Sequence, residues 1–364
     1  MQQSLFLLIL MGQCSFFTCH LYEYHFIEEK MSWKEAQTYC RENYTDLATV
    51  SNMTDMKRLR DSTKKQDEAW IGLYSNPGKE NRSWHWSLPG VEFNDNETEW
   101  SSGEPNDKGG IENCVEMENH TWKDFPCIKK FKFICYDERK QSNDKFSLIN
   151  KVMTWPRAQN YCRQHHTDLV SGLNQLKELT DVSYSGKKLW IGLFRDTWRW
   201  SDGSNSSFRN WDLELFKDED NKTCAMTVLN RVGKWNSDDC NKTKPFFCYD
   251  DKVILIKQKK TWEEALHFCR ENHNDLVSIT KPDEQRWVQE RAKKADTPFV
   301  WMGLRYTCTL DLWFWVSDEL VCYKNWAPGQ KMDECDMSGA MDRGGQHKWF
   351  SRRENEKYNF ICAV

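Results

Sequence analysis

Trp70-Ile71-Gly72-Leu73 is spelled again, almost unchanged, at Trp190-Ile191-Gly192-Leu193 and at Trp301-Met302-Gly303-Leu304. About 30 residues before each stands an aromatic-Cys-Arg triplet ending a polar run, at Cys40, Cys162 and Cys269, and each copy closes on Phe-x-Cys, at Cys135, Cys248 and Cys362. The Trp marks recur at spacings of 120 and 111 residues and the closing cysteines at 113 and 114. A period this long repeats a whole domain, because solenoid repeats run to only a few tens of residues. The 364 residues therefore read as three copies of one module, each within the usual size of a domain.

Working outward, the 19 Trp are far above ordinary usage, and with 39% hydrophobic residues overall the indoles must supply much of each core. The net charge is -4 with both signs mixed, which gives no electrostatic case for nucleic acid. Leu5-Phe6-Leu7-Leu8-Ile9-Leu10-Met11 is too short to span a bilayer and reads as the core of a secretory leader over residues 1–19, cleaved after Cys14 or Cys19. No later stretch is apolar enough to span a membrane, and the chain stops two residues after Cys362, so the expectation is a secreted protein or the ectodomain of a truncated receptor. Fifteen cysteines at repeating spacings behind a leader indicate disulfides. Zinc is the rival, but no CxxC pair occurs and the 9 His are scattered. Eight Asn-x-Ser/Thr sequons, at Asn43, Asn52, Asn81, Asn96, Asn119, Asn205, Asn221 and Asn241, agree with export and a glycan coat.

Each copy opens with a β-like segment (24–27, 146–149 and 253–256), followed by Ser/Thr-Trp and an amphipathic helix at Ser32-Trp33, Thr154-Trp155 and Thr261-Trp262. Ser32 is placed to cap the first of these. Trp33, Ala36 and Cys40 share one helical face, which presents the cysteine to the core. Asp-Leu (Asp46, Asp168, Asp275) and a second, charged helical stretch precede the Trp-Ile-Gly-Leu strand, and Trp-x-Trp pairs, a long irregular loop and two short strands follow it. Cys114 and Cys127 close a small loop within the span of Cys40 and Cys135, and Cys224 and Cys240 do so within Cys162 and Cys248; each such bridge contributes roughly 2–4 kcal/mol.

These motifs, in this order and three times over, resemble the C-type lectin-like domain. The resemblance implies an α+β fold of two helices flanking small antiparallel sheets with a long ligand-bearing loop, in three tandem domains at 20–137, 143–250 and 251–364. It also implies a calcium site. In that family Glu-Pro-Asn, a later Glu and Trp-Asn-Asp hold the ion; copy one offers Glu104-Pro105-Asn106, then Glu112, then Trp122-Lys123-Asp124. Calcium takes about six to eight oxygen ligands. Glu104, Asn106, Glu112 and Asp124 would supply some, the vicinal hydroxyls of a mannose-type sugar the rest, and the same four side chains would hydrogen-bond those hydroxyls. The family's bond before this proline is cis, an arrangement open to X-Pro. Lys123 departs from the pattern: an ammonium offers no oxygen. Either it swings out to solvent and the site survives, or it takes the calcium position among the carboxylates and leaves a metal-free module.

Copy two has no Glu-Pro-Asn; its acid run (Asp212, Glu214, Asp218, Glu219, Asp220) and Trp235-Asn236-Ser237 lack the pattern. Copy three, with Trp326-Ala327-Pro328-Gly329 and Trp349-Phe350-Ser351, lacks the carboxylates. Cys269 and Cys362 bracket copy three, Cys308–Cys322 is its expected inner bridge, and Cys335 is left free, joined to Cys19, or linked to another chain. The expected function is calcium-dependent binding of a mannose-type sugar through copy one, with glycans or glycoproteins as partners; the alternative is a metal-independent array that binds cell-surface proteins. No phosphate loop, nucleophile elbow or metalloprotease helix is present, and His165-His166 are neighbours whose side chains diverge on a helix, so an enzyme is not expected.

Overall fold

The computed structural model describes residues 21–65, 67–75, 81–140, 144–179, 184–217, 219, 221–319 and 321–364. The expected leader with Cys14 and Cys19, and Asp218 and Asp220 of the acid run, lie outside the described residues. Tyr24–Tyr249 form one compact unit, and Asp250–Val364 with the stretch up to Glu23 form another. Among the described residues the fold is α+β, with three seven-stranded sheets and helices that include one starting at each Ser/Thr-Trp: Trp33–Asn43, Trp155–His165 and Trp262–Asn272.

The recurring motifs recur as recurring contacts. Ser32 and Thr261 close capping boxes with Glu35 and Glu264, satisfying N–H groups that the first turn leaves without partners. The Trp at each helix start donates its indole N–H to the backbone of the motif strand: Trp33 to Ile71 at 2.9 Å, Trp155 to Ile191 at 2.7 Å, and Trp262 to Met302 at 2.8 Å. The motif tryptophans donate in turn to the end of each opening strand, at Met31, Met153 and Lys260. Ala36, Cys40 and Trp70 are buried together with Leu47 in one core, and their counterparts build the other two. The motif glycine has a steric cause: its strand passes flat against the Asp-Leu segment. Gly72, Gly192 and Gly303 donate to the carbonyls of Ala48, Val170 and Val277 at 2.9, 2.7 and 2.9 Å. A Cβ on Gly72 or Gly303 would lie 2.8 Å from the carbonyl oxygen of Leu47 or Leu276.

Copy three folds upon itself. Its Trp301 strand (Phe299–Thr307) pairs with the following strand Leu312–Trp315, Leu304 opposite Trp315, and its helix is tied to its last strand by Cys269–Cys362. Copies one and two exchange halves. The Trp70 strand (Glu68–Ser75) pairs with Trp198–Trp200 of copy two, Leu73 opposite Trp200, while the Trp190 strand (Leu189–Asp196) pairs with Ser83–Trp86 of copy one, Leu193 opposite Trp86. The Leu–Trp register is the same in all three, so either partner presents an equivalent strand to an equivalent edge. One composite fold thus joins 21–75 to 198–251 and the other joins 83–136 to 146–196. Each contains a parallel pairing, such as Trp70 beside Phe246 or Trp190 beside Phe133.

The disulfides follow this exchange and correct the pairing read from the sequence. Cys40 is bonded to Cys248 and Cys135 to Cys162, because the halves carrying these cysteines share a sheet. Cys114–Cys127 and Cys224–Cys240 are as expected. In copy three Cys308 is joined to Cys335, not to Cys322: Cys335 directly precedes the strand Met337–Asp342 that lies against the Trp301 strand, which brings it to Cys308 at that strand's end. Cys322 is itself disulfide-bonded, to no cysteine among the described residues.

Gly303→Ala is expected to destabilise copy three by about 1–3 kcal/mol, the usual result of forcing atoms into a closed contact. Gly344→Ala, where an added Cβ meets nothing within 4 Å, is expected to change stability by less than about 0.5 kcal/mol. Denaturant melts of the two variants make the comparison; equal losses would contradict the steric reading.

Candidate functional site

The loop between Trp100 and Cys114 is pinned at both ends. Trp100 bridges to Trp122, whose indole is fully buried and meets the rings of Trp86 and Trp100 edge-on, each at 5.6 Å. At its far end, the Cys114–Glu118 strand pairs with Thr121–Phe125 and with the Trp190 strand. Asp124 therefore projects from an ordered strand under the loop. It is 2% exposed and accepts from the backbone N–H of Asn106 and of Asp107, both at 3.0 Å. The Glu104–Pro105 bond is cis. Glu104 Oε2 accepts from Asn106 N at 3.2 Å, and Lys108 N is shared by Asn106 Oδ1 at 3.0 Å and Glu112 Oε2 at 2.8 Å. The fold thus brings all four residues singled out in copy one together, Glu104, Asn106 and Glu112 on the loop and Asp124 on the strand beneath it.

Their electrostatics show crowding. Burial, the adjacent Asp124 carboxyl and the charges of Asp124 and Glu112 raise Glu104 above the ordinary carboxylate range. Lys123 does not relieve this: its ammonium points away from the loop, toward Glu118 at 3.8 Å. The cation present is Arg195, from the motif strand of copy two. Its Nη2 lies 2.8 Å from both Asp124 Oδ2 and Asp107 Oδ1, it donates to the Glu112 carbonyl at 2.7 Å, and its guanidinium lies over the Trp84 ring at 4.6 Å. Arg82 braces the other side, paired with Asp107 and donating to Asn113 at 2.6 Å. Arg82, Asp107 and Arg195 escape a reading of the sequence. Arg195 lies 71 positions from Asp124, and only the exchange of halves unites them.

The four residues suit calcium in kind, being hard oxygen donors on one loop and the strand beneath it, and the crowding that raises the Glu104 carboxyl is what a divalent cation would relieve. In the arrangement described, their oxygens are occupied by backbone N–H groups and by Arg195. Among the described residues no three acidic, His or Cys side chains converge closely enough to hold a metal ion.

The corresponding positions of copies two and three are filled by ion pairs. Arg231 pairs with Asp212 and, at 2.7 Å, with Glu214, and Trp211 stacks on Phe216. In copy three Arg305 pairs with Glu354 at 2.7 Å and Lys331 with Asp333 at 2.6 Å. His165 packs on Tyr161, and His166 lies 3.7 Å from Asp137.

Glu116 is a further acid that the motifs do not mark. It is fully buried, and neither of its oxygens has a hydrogen-bond partner. Burial pushes its carboxyl up to about 7, against the pull of Lys188. A pKa raised by folding gives stability that is complete below the unfolded value of about 4.5 and is lost as pH rises through about 7. Glu116→Gln removes that loss. The variant's melting temperature relative to the parent is therefore expected to be higher at pH 8 than at pH 5 by about 3 °C or more. Thermal melts at the two pH values decide it, and a difference independent of pH would contradict it.

A family model described as "Lectin C-type domain" matches residues 29–137, 151–250 and 258–364. Relatives include human C-type mannose receptor 2, 22% identical over 86% of this chain and 25% of that protein. The secretory phospholipase A2 receptor of Pongo abelii is 24% identical over 82% and 24%, and human lymphocyte antigen 75 is 23% identical over 81% and 20%. The chain thus spans about a quarter or less of the length of these relatives. Among solved structures, human lithostathine aligns at 25% identity over 30% of this chain and 80% of its own, with a TM-score of 0.28. The carbohydrate-recognition domain of cow CD23, solved in the presence of GlcNAc2Man3 oligosaccharide, aligns at 26% identity over 32% and 90%, with the same score.

Proposed function

Since the chain belongs to the C-type lectin domain family, with three matches in tandem, we propose that it is an extracellular glycan-binding protein whose sugar site is the Glu104 loop. It is a binding protein and not an enzyme, as the family and its receptor relatives are. The observation that carries the reading is the gathering of Glu104, Asn106, Glu112 and Asp124 beside a cis proline while Lys123 turns outward. These four would hold a calcium ion, which supplies a Lewis-acidic anchor for vicinal hydroxyls of a mannose-type sugar. The chain's own part is to orient the four side chains on a strand-backed loop, and to offer the lone pairs and amide N–H groups that the hydroxyls need. Glycans or glycoproteins are the partners. The six disulfides among described cysteines fit an oxidising compartment. No helix among the described residues is long and apolar enough to cross a membrane. Seven of the eight sequon asparagines are exposed and fit a glycan coat; Asn52 is 8% exposed and caps the helix Met53–Asp61, so it is the one that should stay unmodified.

One observation favours a second reading. The Arg195 guanidinium already neutralises Asp124 and Asp107, and a paired, part-buried cation of this kind is costly to dislodge. If it stays, the loop is a metal-independent surface for a protein partner.

Retention of the full chain on a mannan column in millimolar calcium, with release by chelator, is the expected result. Lys123→Asn, altering a side chain outside the loop, is expected to change the calcium affinity measured by calorimetry by less than about twofold. Arg195→Gln, removing the competing cation, is expected to tighten it severalfold. Retention in excess chelator, or a melting temperature indifferent to calcium, would set the calcium reading aside for the second.

A further inference from the structure

Within the unit Tyr24–Tyr249, the two composite folds enclose a cavity of about 710 Å³, the size of a small-molecule site. Its walls are aromatic: Trp155 and Phe194 come from one fold, Trp198, Trp211 and Phe216 from the other. Exposed apolar side chains line it as well. Met53, Ile128, Leu213 and Val232 all line it and are 50%, 79%, 44% and 65% exposed. Single exposed apolar residues are ordinary on a surface, but four large ones lining one cavity mark a place where an apolar body is received.

The charges select among apolar bodies. Five arginines line the cavity, and four of them are each paired with a carboxylate: Arg163 with Asp168, Arg195 with Asp124, Arg209 with Asp196 and Arg231 with Asp212; the fifth, Arg157, is exposed on the first turn of the helix Trp155–His165. The cavity's acids, Asp196 and Asp212, are the ones held in these pairs. Lys234 differs. Its ammonium donates only to amide oxygens, Asn210 Oδ1 at 2.9 Å and Asn160 Oδ1 at 3.4 Å, and no carboxylate among the described residues forms an ion pair with it. Burial and the nearby Arg163 charge pull it below the ordinary lysine range, with the Asp212 charge opposing them only in part. At the same wall the helix Trp155–His165 presents its first turn, with Pro156 and with a Thr154 side chain that makes no capping bond, so the positive end of the helix faces the same space.

We propose that this cavity is a second binding site, for an amphipathic organic anion: an aromatic or otherwise apolar body seated among Trp155, Phe194, Trp211 and Phe216, with its carboxylate, sulfate or phosphate group on Lys234. This site is distinct from the Glu104 loop and does not depend on calcium.

The test uses the full chain and a matched pair of fluorescent probes, the anionic 8-anilinonaphthalene-1-sulfonate and the uncharged N-phenyl-1-naphthylamine, titrated with excitation through tryptophan. One saturable site for the sulfonate per chain is expected, undiminished by chelator. Lys234→Gln is expected to weaken the sulfonate about tenfold, the loss of one buried charge-assisted contact, while leaving the neutral probe within about twofold. Phe216→Ala is expected to weaken both. Should Lys234→Gln fail to fold, Val232→Asp on the exposed lining carries the same expectation of a selective loss of the sulfonate. Absence of a saturable site in the parent, or equal effects of the charge variant on both probes, overturns the proposal.

Discussion

Pairing of the Trp70 strand with strands from copy two, rather than with its own sequel, is the constraint on which the larger unit depends. A sheet edge is satisfied by any strand of the right register, and copies one and two offer strands that agree on Leu opposite Trp. Copy three makes the same contact within itself, so the module does not require exchange; repetition along one chain permits it. Once made, the exchange is locked by Cys40–Cys248, across 208 residues, and by Cys135–Cys162, across 27.

Two features follow from that constraint. Arg195 reaches Asp124 only because the copy-two motif strand is built into the sheet that carries the copy-one loop. The aromatic cavity exists only where the two composite folds face one another. The Glu104 loop itself is assembled from copy-one residues alone, and its backbone-to-carboxylate bonds, centred on Asp124, do not involve copy two. The loop geometry and the cation beside it therefore have separate origins: the first in local motif geometry, the second in the exchange.

The elements legible in the sequence are those fixed by short-range physics. Ser32 caps its helix, Trp33, Ala36 and Cys40 face the core, and the motif glycine sits where only hydrogen fits, because capping, helical periodicity and close approach are properties of a few consecutive residues. Glu104, Asn106 and Glu112 come together for the same reason, being carried on one pinned loop, with Asp124 on the strand of the buried Trp122 beneath it. The partners of Cys40 and Cys135 were not legible: exchange preserves every local pattern and changes only which copy supplies the other half. Arg195 was hidden by the same fact. The direction of Lys123 was undecided because a strand residue next to Asp124 projects to the opposite face, an alternation evident only once the strand Thr121–Phe125 is placed. Cys335 was misassigned because cysteine spacing in copy three departs from the other copies, and spacing was the only guide.

The exchange is tested most directly by mapping disulfide-linked peptides from the unreduced full chain, digested at a pH low enough to suppress thiol–disulfide exchange. The account predicts a peptide pair joining Cys40 to Cys248 and another joining Cys135 to Cys162. Recovery of Cys40 with Cys135 and of Cys162 with Cys248 would contradict it, returning copies one and two to separately closed modules and removing Arg195 from the Glu104 loop.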